Sequence, residues 1–145
     1  MDEPRFYRHW IKDSDLLCFG VAVKQTDLLI RARRNLKDKA LNSVLNHRAS
    51  LGAYIGHHPL FLTTLGPYQA EAEAPAIVKE MSRASQLTGV GPMAAVAGVI
   101  AEAVGRDLLA FSPGVIVENG GDIFVKISKK RLVGIYAGQY GQGRR

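Results

Sequence analysis

Between residues 88 and 125 the chain carries two glycine loops, each joined to an apolar segment. The first loop reads Thr88-Gly89-Val90-Gly91-Pro92 and opens onto residues 93–104, where Glu102 is the only charged residue. Pro92 suits the first helical position, because no partner awaits the missing N–H there. A helix apolar on nearly every side belongs in an interior. Ala94, Ala95, Ala97, Gly98, Ala101 and Ala103 keep it thin, so neighbouring backbones can come close. Gly105 is placed as its C-terminal cap. The second segment is a short strand over 115–117, a turn Glu118-Asn119-Gly120-Gly121-Asp122, and a strand from Ile123. Both segments pair a core element with a glycine loop, and such loops at helix starts can hold anions.

The rest of the chain supplies elements to pack against this stretch. Residues 5–11 and 16–23 predict strands, Thr26-Asp27 a turn, and 28–33 the next strand, so the last two form a hairpin. In that strand Ile30 and Ala32 lie opposite Arg31 and Arg33. A helix follows from 37 to 55, with Leu41, Val44, Leu45, Leu51 and Ile55 at helical spacing. Arg48 falls on the same stripe. A core-facing arginine needs a partner: either it snorkels or joins an internal ion pair, or it meets a ligand phosphate or carboxylate. His57 and His58 are adjacent, point apart on a helix, and serve as a C-terminal cap, not as a chelate. A short apolar run over 61–65 and an acidic linker over 68–74 lead to Pro75. That proline opens a helix to about residue 87, with Ile77, Met81 and Ala84 inward. A last strand is predicted over 131–137. The order β-β-α-α-α-β-β-β predicts an α+β fold: a two-layer sandwich, with an antiparallel sheet of at least four strands and helices on one face.

At 145 residues the whole chain, 1–145, reads as a single domain with a real core. The lone Cys18 excludes an internal disulfide and most zinc patterns, and suits a reducing cytoplasm. Placed mid-strand without an evident base, it reads as a core residue. The start Met1-Asp2-Glu3 is acidic and shows no signal peptide. The apolar run over 87–104 is broken by Pro92, glycines and Glu102, so no membrane span is expected. The net charge of +6 gathers at Arg31, Arg33, Arg34, Lys37 and Lys39, and again at Lys126, Lys129, Lys130, Arg131, Arg144 and Arg145. Such patches attract phosphates, but no aromatic interleaving accompanies them. A solvated strand edge is the preferred reading, and a nucleic-acid partner is not expected.

Two motifs carry candidate chemistry. Gly89-x-Gly91 lacks a third glycine, a leading strand and a Lys-Ser/Thr pair. It is either a tight inter-helix loop or a phosphate cradle made by Gly89, Gly91 and Met93 at a helix start. In Glu118-Asn119-Gly120-Gly121-Asp122, Asn-Gly is itself a hairpin signal. Its two acids also suit a ligand hydroxyl, a ring edge or a metal. No Gly-x-Ser-x-Gly is present, and Glu102 pairs with Arg106 at i+4.

The segments Thr26-Asp27-Leu28, Arg48 to Tyr54-Ile55, and His58-Pro59-x-Phe61 together resemble an uncharacterised branch of the ApbE-like superfamily. So do Ala74-Pro75-x-Ile77-Val78-x-x-Met81, Val90-Gly-Pro-Met-Ala-Ala-Val-Ala-Gly98 and Val117-Glu-Asn-Gly-Gly-Asp122. The characterised relatives are magnesium-dependent FAD:protein FMN transferases, once linked to thiamine biosynthesis. The resemblance implies a ββααββ, T-fold-like unit, duplicated in the family, and a flavin or nucleotide ligand. It brings the glycine-rich helix start and the Asn-Gly-Gly-Asp turn to one cleft, within reach of Arg48. The chain lacks the acid and lysine of the family's glycine-rich motif, its Asn-x-Gly-Gly-Asp spacing is one residue shorter, and no Ala-Asp-Ala…Thr metal motif follows. It therefore corresponds to the first half of a family-length protein. The expectation is weak binding of FAD, FMN or another small anionic nucleotide through Arg48, Gly89, Gly91, Met93, Glu118, Asn119, Gly120, Gly121 and Asp122. Magnesium is the family's metal, but its motif is missing here, so FMN transfer is not expected. Exposed edges and apolar surface predict a homo-oligomer. The competing class is a non-catalytic oligomerising domain whose glycines serve packing.

Overall fold

The computed structural model describes residues 16–127. The strands expected over 5–11 and 131–137 lie outside the described residues. Within them the fold is α+β: a four-stranded antiparallel sheet in the order β1-β2-β3-β4, with helices between its two hairpins.

β1 (Leu17–Val23) and β2 (Thr26–Ala32) obey the two-residue period of a half-buried sheet. Thr26, Leu28, Ile30 and Ala32 are buried with Phe19 and Val21, while Asp27, Leu29 and Arg31 turn to the other face. Cys18 shares that other face and is exposed, so it is not the core residue expected. The turn is also displaced from Thr26-Asp27. Val23 pairs with Thr26, which leaves Lys24-Gln25 as the loop and both Thr26 and Asp27 inside β2. The physical reason is that Thr26 continues the buried face of the strand. Lys24 accepts a left-handed backbone (φ 53°) to close the loop, a conformation that costs an L-residue roughly 1–2 kcal/mol.

β3 (Gly114–Asn119) and β4 (Asp122–Ile127) form the second hairpin. Its loop is Gly120-Gly121, with Gly120 at φ 61° and Asn119 already paired to Asp122 across the strands. Asn119 is thus the last residue of β3, not the corner of the turn. β2 pairs with β3 so that Leu28 faces Asn119.

Helix α1 (Lys37–His57) lies on the sheet. Its buried positions are Ala40, Ser43, Val44, Leu51 and Tyr54. Leu41 and Leu45, expected inward, are 37% and 45% exposed. Small residues let the helix come close to its neighbours, and that docking rotates the inward stripe one position away from the leucines. The expected cap is observed. The His58 amide donates to the carbonyls of Tyr54 and Ile55 at 2.8 and 3.1 Å, and its ring Nδ1 lies 3.1 Å from the Tyr54 carbonyl. The apolar run after it is a short helix, α2 (Leu60–Thr63), that buries only Phe61.

α3 (Ala76–Thr88) begins after Pro75 and buries Ile77, Val78, Met81, Ser82 and Ser85. Gly89 ends it in the left-handed conformation that favours glycine (φ 79°). A 3-10 turn, Pro92–Ala95, then leads into α4 (Val96–Leu108). α4 is not buried all round. One face, Ile100, Ala101, Val104, Gly105 and Leu108, packs on β3, β4 and α1, while Ala94 is exposed and Ala97 half-buried. The near absence of charge over 93–104 reflects small residues on the outer side, which a surface tolerates. Gly105 is not the cap: it lies inside α4, and a Cβ there would overlap the Phe124 ring of β4. α3 packs on α1, α4 and the 3-10 turn. Leu28, Ile30, Val44, Val104, Leu108, Val115 and Val117 fill the space between sheet and helices with at most 1% exposure. Each such side chain stabilises the fold by about 1.5–3 kcal/mol.

Candidate functional site

The register decides which sequence-predicted residues meet. Because Leu28 pairs with Asn119, the loops Lys24-Gln25 and Gly120-Gly121 lie at the same end of the sheet, on adjacent strands. Thr26 and Asn119 both fall on the helix-covered face there, in the diagonal relation that puts side chains about 7–8 Å apart. Arg48 of α1 reaches this end. Its Nη1 donates to Thr26 Oγ1 at 2.7 Å and its Nη2 to Gln25 Oε1 at 3.3 Å. Both acceptors are neutral, so the guanidinium is oriented while keeping its full charge.

On the second hairpin, Asn119 is buried and its amide donates to the Ala97 carbonyl at 3.1 Å, tying the turn to the first residues of α4. One residue further along α4, Gly98 leaves room for Asp122. A Cβ on Gly98 would stand 3.4 Å from Asp122 Oδ1. Asp122 is exposed and makes no hydrogen bond or ion pair among the described residues. Arg48, Asn119, Asp122 and the loop glycines are therefore gathered at one end of the sandwich.

The other predicted residues are spent elsewhere. The Gly89 amide donates to the Ser85 carbonyl at 2.8 Å, so it closes α3. Gly91 is pressed on the Thr64 carbonyl, where a Cβ would overlap it. Met93 is half-buried and packs against the core. The 3-10 turn separates this glycine loop from Ala97 and Gly98. Glu118 lies on the opposite face of β3 from Asn119, and its Oε1 accepts from Arg31 Nη1 at 3.1 Å.

Two polar clusters escaped the sequence reading. In the first, Tyr54 donates to Glu71 Oε1 at 2.6 Å and lies 2.9 Å from the Tyr68 hydroxyl, while His58 Nε2 sits 3.0 Å from Glu71 Oε2. Burial, then the bond to Glu71, pushes the Tyr54 phenol above its usual value; the same hydrogen bond holds the Glu71 carboxyl below its own. This cluster straps the acidic linker onto α1. In the second, Asp107 Oδ2 accepts from Ser43 Oγ at 2.7 Å and lies 2.9 Å from His47 Nε2. It borders an open groove of about 440 Å³ whose other charges, Glu80–Arg83 and Glu102–Arg106, are paired within their own helices at 3.0 and 2.7 Å. Partners 17 and 60 residues apart carry no local pattern. Among the described residues no group of three or more His, Cys, Asp or Glu is arranged to hold a metal ion. No single helix there is long and apolar enough to cross a membrane.

Compared with known proteins, residues 8–145 match the family described as AbpE bacteria. The chain belongs to that family. A UPF0280 protein of Methanococcus aeolicus is 44% identical over 100 residues, covering 68% of this chain and 40% of its own length. The UPF0280 protein of Methanopyrus kandleri is 43% identical over 117 residues, covering 80% of this chain and 47% of its own. That of Methanocaldococcus jannaschii is 40% identical over 119 residues, covering 81% and 48%. The chain thus spans about half the length of the curated relatives it matches.

Proposed function

We propose that this chain is a flavin- or nucleotide-binding relative of the FAD:protein FMN transferases, and that it holds an anionic nucleotide weakly without transferring FMN. The observation that carries the reading is the Asp122 carboxylate, unpaired among the described residues, standing against Gly98, beside the Asn119–Ala97 clamp and at the same end as Arg48. Arg48 suits a phosphate, because a guanidinium held by neutral acceptors keeps charge and donors for an anion. Asp122 suits a ligand hydroxyl or amine. The described residues do not form a metal cage, but one carboxylate is enough to share a magnesium ion that arrives on ligand phosphates. These groups form a single wall, which covers little of a ligand and keeps affinity low. The ground for lost transfer lies within the glycine-rich segment 89–98, which carries neither the acid nor the lysine of the transferases' motif. The lone cysteine supports a cytoplasmic setting.

A second reading, a non-catalytic oligomerising domain, draws on one observation. Leu62, Leu65, Leu87 and Val90 are 50%, 88%, 80% and 45% exposed in and between α2 and the glycine loop. Light scattering that finds a stable monomer at high concentration removes it.

Calorimetry with ADP and with FAD, with and without magnesium, tests the first reading. The native chain is expected to bind weakly, and Asp122→Ala and Asn119→Ala to lose most of the heat. Equal heats for all three proteins would remove the site. Covalent flavin appearing on an acceptor protein would overturn the loss of transfer.

A further inference from the structure

We infer that Lys24 is a phosphate-contacting residue of this site, held over the hairpin end by the turn between β1 and β2. The inference rests on the nucleotide-binding reading above and names the side chain that meets the ligand's anionic end. The two hairpins close with loops of equal length, and in both the first loop residue takes a positive φ: 61° at Gly120 and 53° at Lys24. Glycine adopts that backbone freely; lysine does so against steric resistance. Lys24 is the only non-glycine residue with positive φ among the described residues. Strained backbone of this kind clusters at active sites, ligand clamps and switch regions.

The surroundings agree. Lys24 is exposed and makes no hydrogen bond or ion pair among the described residues. The next two residues, Gln25 and Thr26, hold the Arg48 guanidinium. Lys24 and the Arg48 guanidinium therefore both stand at the start of β2, the strand next to the one that ends in the Asn119–Asp122 turn. The nearest acid in sequence, Asp27, faces the opposite side of the sheet from Thr26. An ammonium on a flexible stem meets a phosphate as a mobile point charge, and an oriented guanidinium meets it in a fixed geometry. The pair suits a diphosphate.

The test is calorimetry with ADP and magnesium on the native chain, Lys24→Gly and Lys24→Arg, with thermal melts of each. Lys24→Gly is expected to raise the melting temperature by relieving the turn, yet to weaken ADP by about fivefold, the size of one exposed charge contact. Its ADP affinity should also depend less on salt. Lys24→Arg keeps the native affinity. Unchanged ADP binding in Lys24→Gly overturns the inference and leaves the nucleotide reading standing. No binding of ADP or FAD by the native chain overturns both.

Discussion

The two hairpins reach the same end of the sheet by the same geometry and are stabilised differently. The β3–β4 hairpin closes on glycine, docks its Asn119 on the Ala97 carbonyl, and inserts Phe124 into the gap left by Gly105. The β1–β2 hairpin closes on a strained lysine and is tied to the helix layer through Arg48 and two polar side chains. In the first, glycines let backbone and ring come close, so packing fixes the turn. In the second, an unfavourable backbone is kept and a charge is displayed. Strain and packing are thus separated at one end of one sheet, and the strained side is the one that carries positive charge.

The comparison breaks most visibly at Gly105. Gly105→Val places a methyl-bearing carbon in the Phe124 ring, and overpacking of this kind costs about 1–3 kcal/mol. Chemical denaturation should show that loss. Hydrogen exchange should show amides of 122–127 opening before those of 17–32, because only the second hairpin loses its dock. Equal opening of both would mean that the hairpins are not held separately.

A smaller effect separates the loops themselves. Gly120→Ala forces an L-residue into positive φ and should cost about 1 kcal/mol, whereas Lys24→Gly moves stability the other way. Melts of the two variants check the opposite signs; a shared sign would remove the strain argument.

The smallest effect is a control remote from both turns. The Tyr54 hydroxyl donates to Glu71, and this bond first, with a backbone hydrogen bond and His58 adding to it, holds the carboxyl below its usual 4.5. A depressed folded pKa gives stability that is present above the unfolded value and is lost as pH falls through the folded one. Melts taken from about pH 7 down to about pH 3 should therefore show a shallower acid loss in Glu71→Gln than in the native chain. ADP binding near neutral pH should be unchanged. A variant that loses both would tie the linker strap to the hairpin end.

The alternation of Leu28, Ile30 and Ala32, the cap at His58 and the glycine-turn-strand pattern at 118–127 were legible in the sequence, because each rests on contacts within one element or one hairpin. Arg48, Asn119 and Asp122 could be named for their chemistry. That they lie at one end of the sheet was decided by the pairing of Leu28 with Asn119 across 91 residues, since register alone sets which loops share an end. Tertiary contacts also reassigned the glycines. Gly89 and Gly91 read as either a tight inter-helix loop or a cradle, and they are taken up by a helix end and by the Thr64 carbonyl, while Gly105 read as a cap but receives a ring. The apolar run over 93–104 predicted burial on all sides, and α4 buries one face. By itself the sequence determined the periods of the strands and helices and the chemistry available to them. Only the packed structure decided which face turned inward, because docking surfaces belong to pairs of elements and are absent from either one alone.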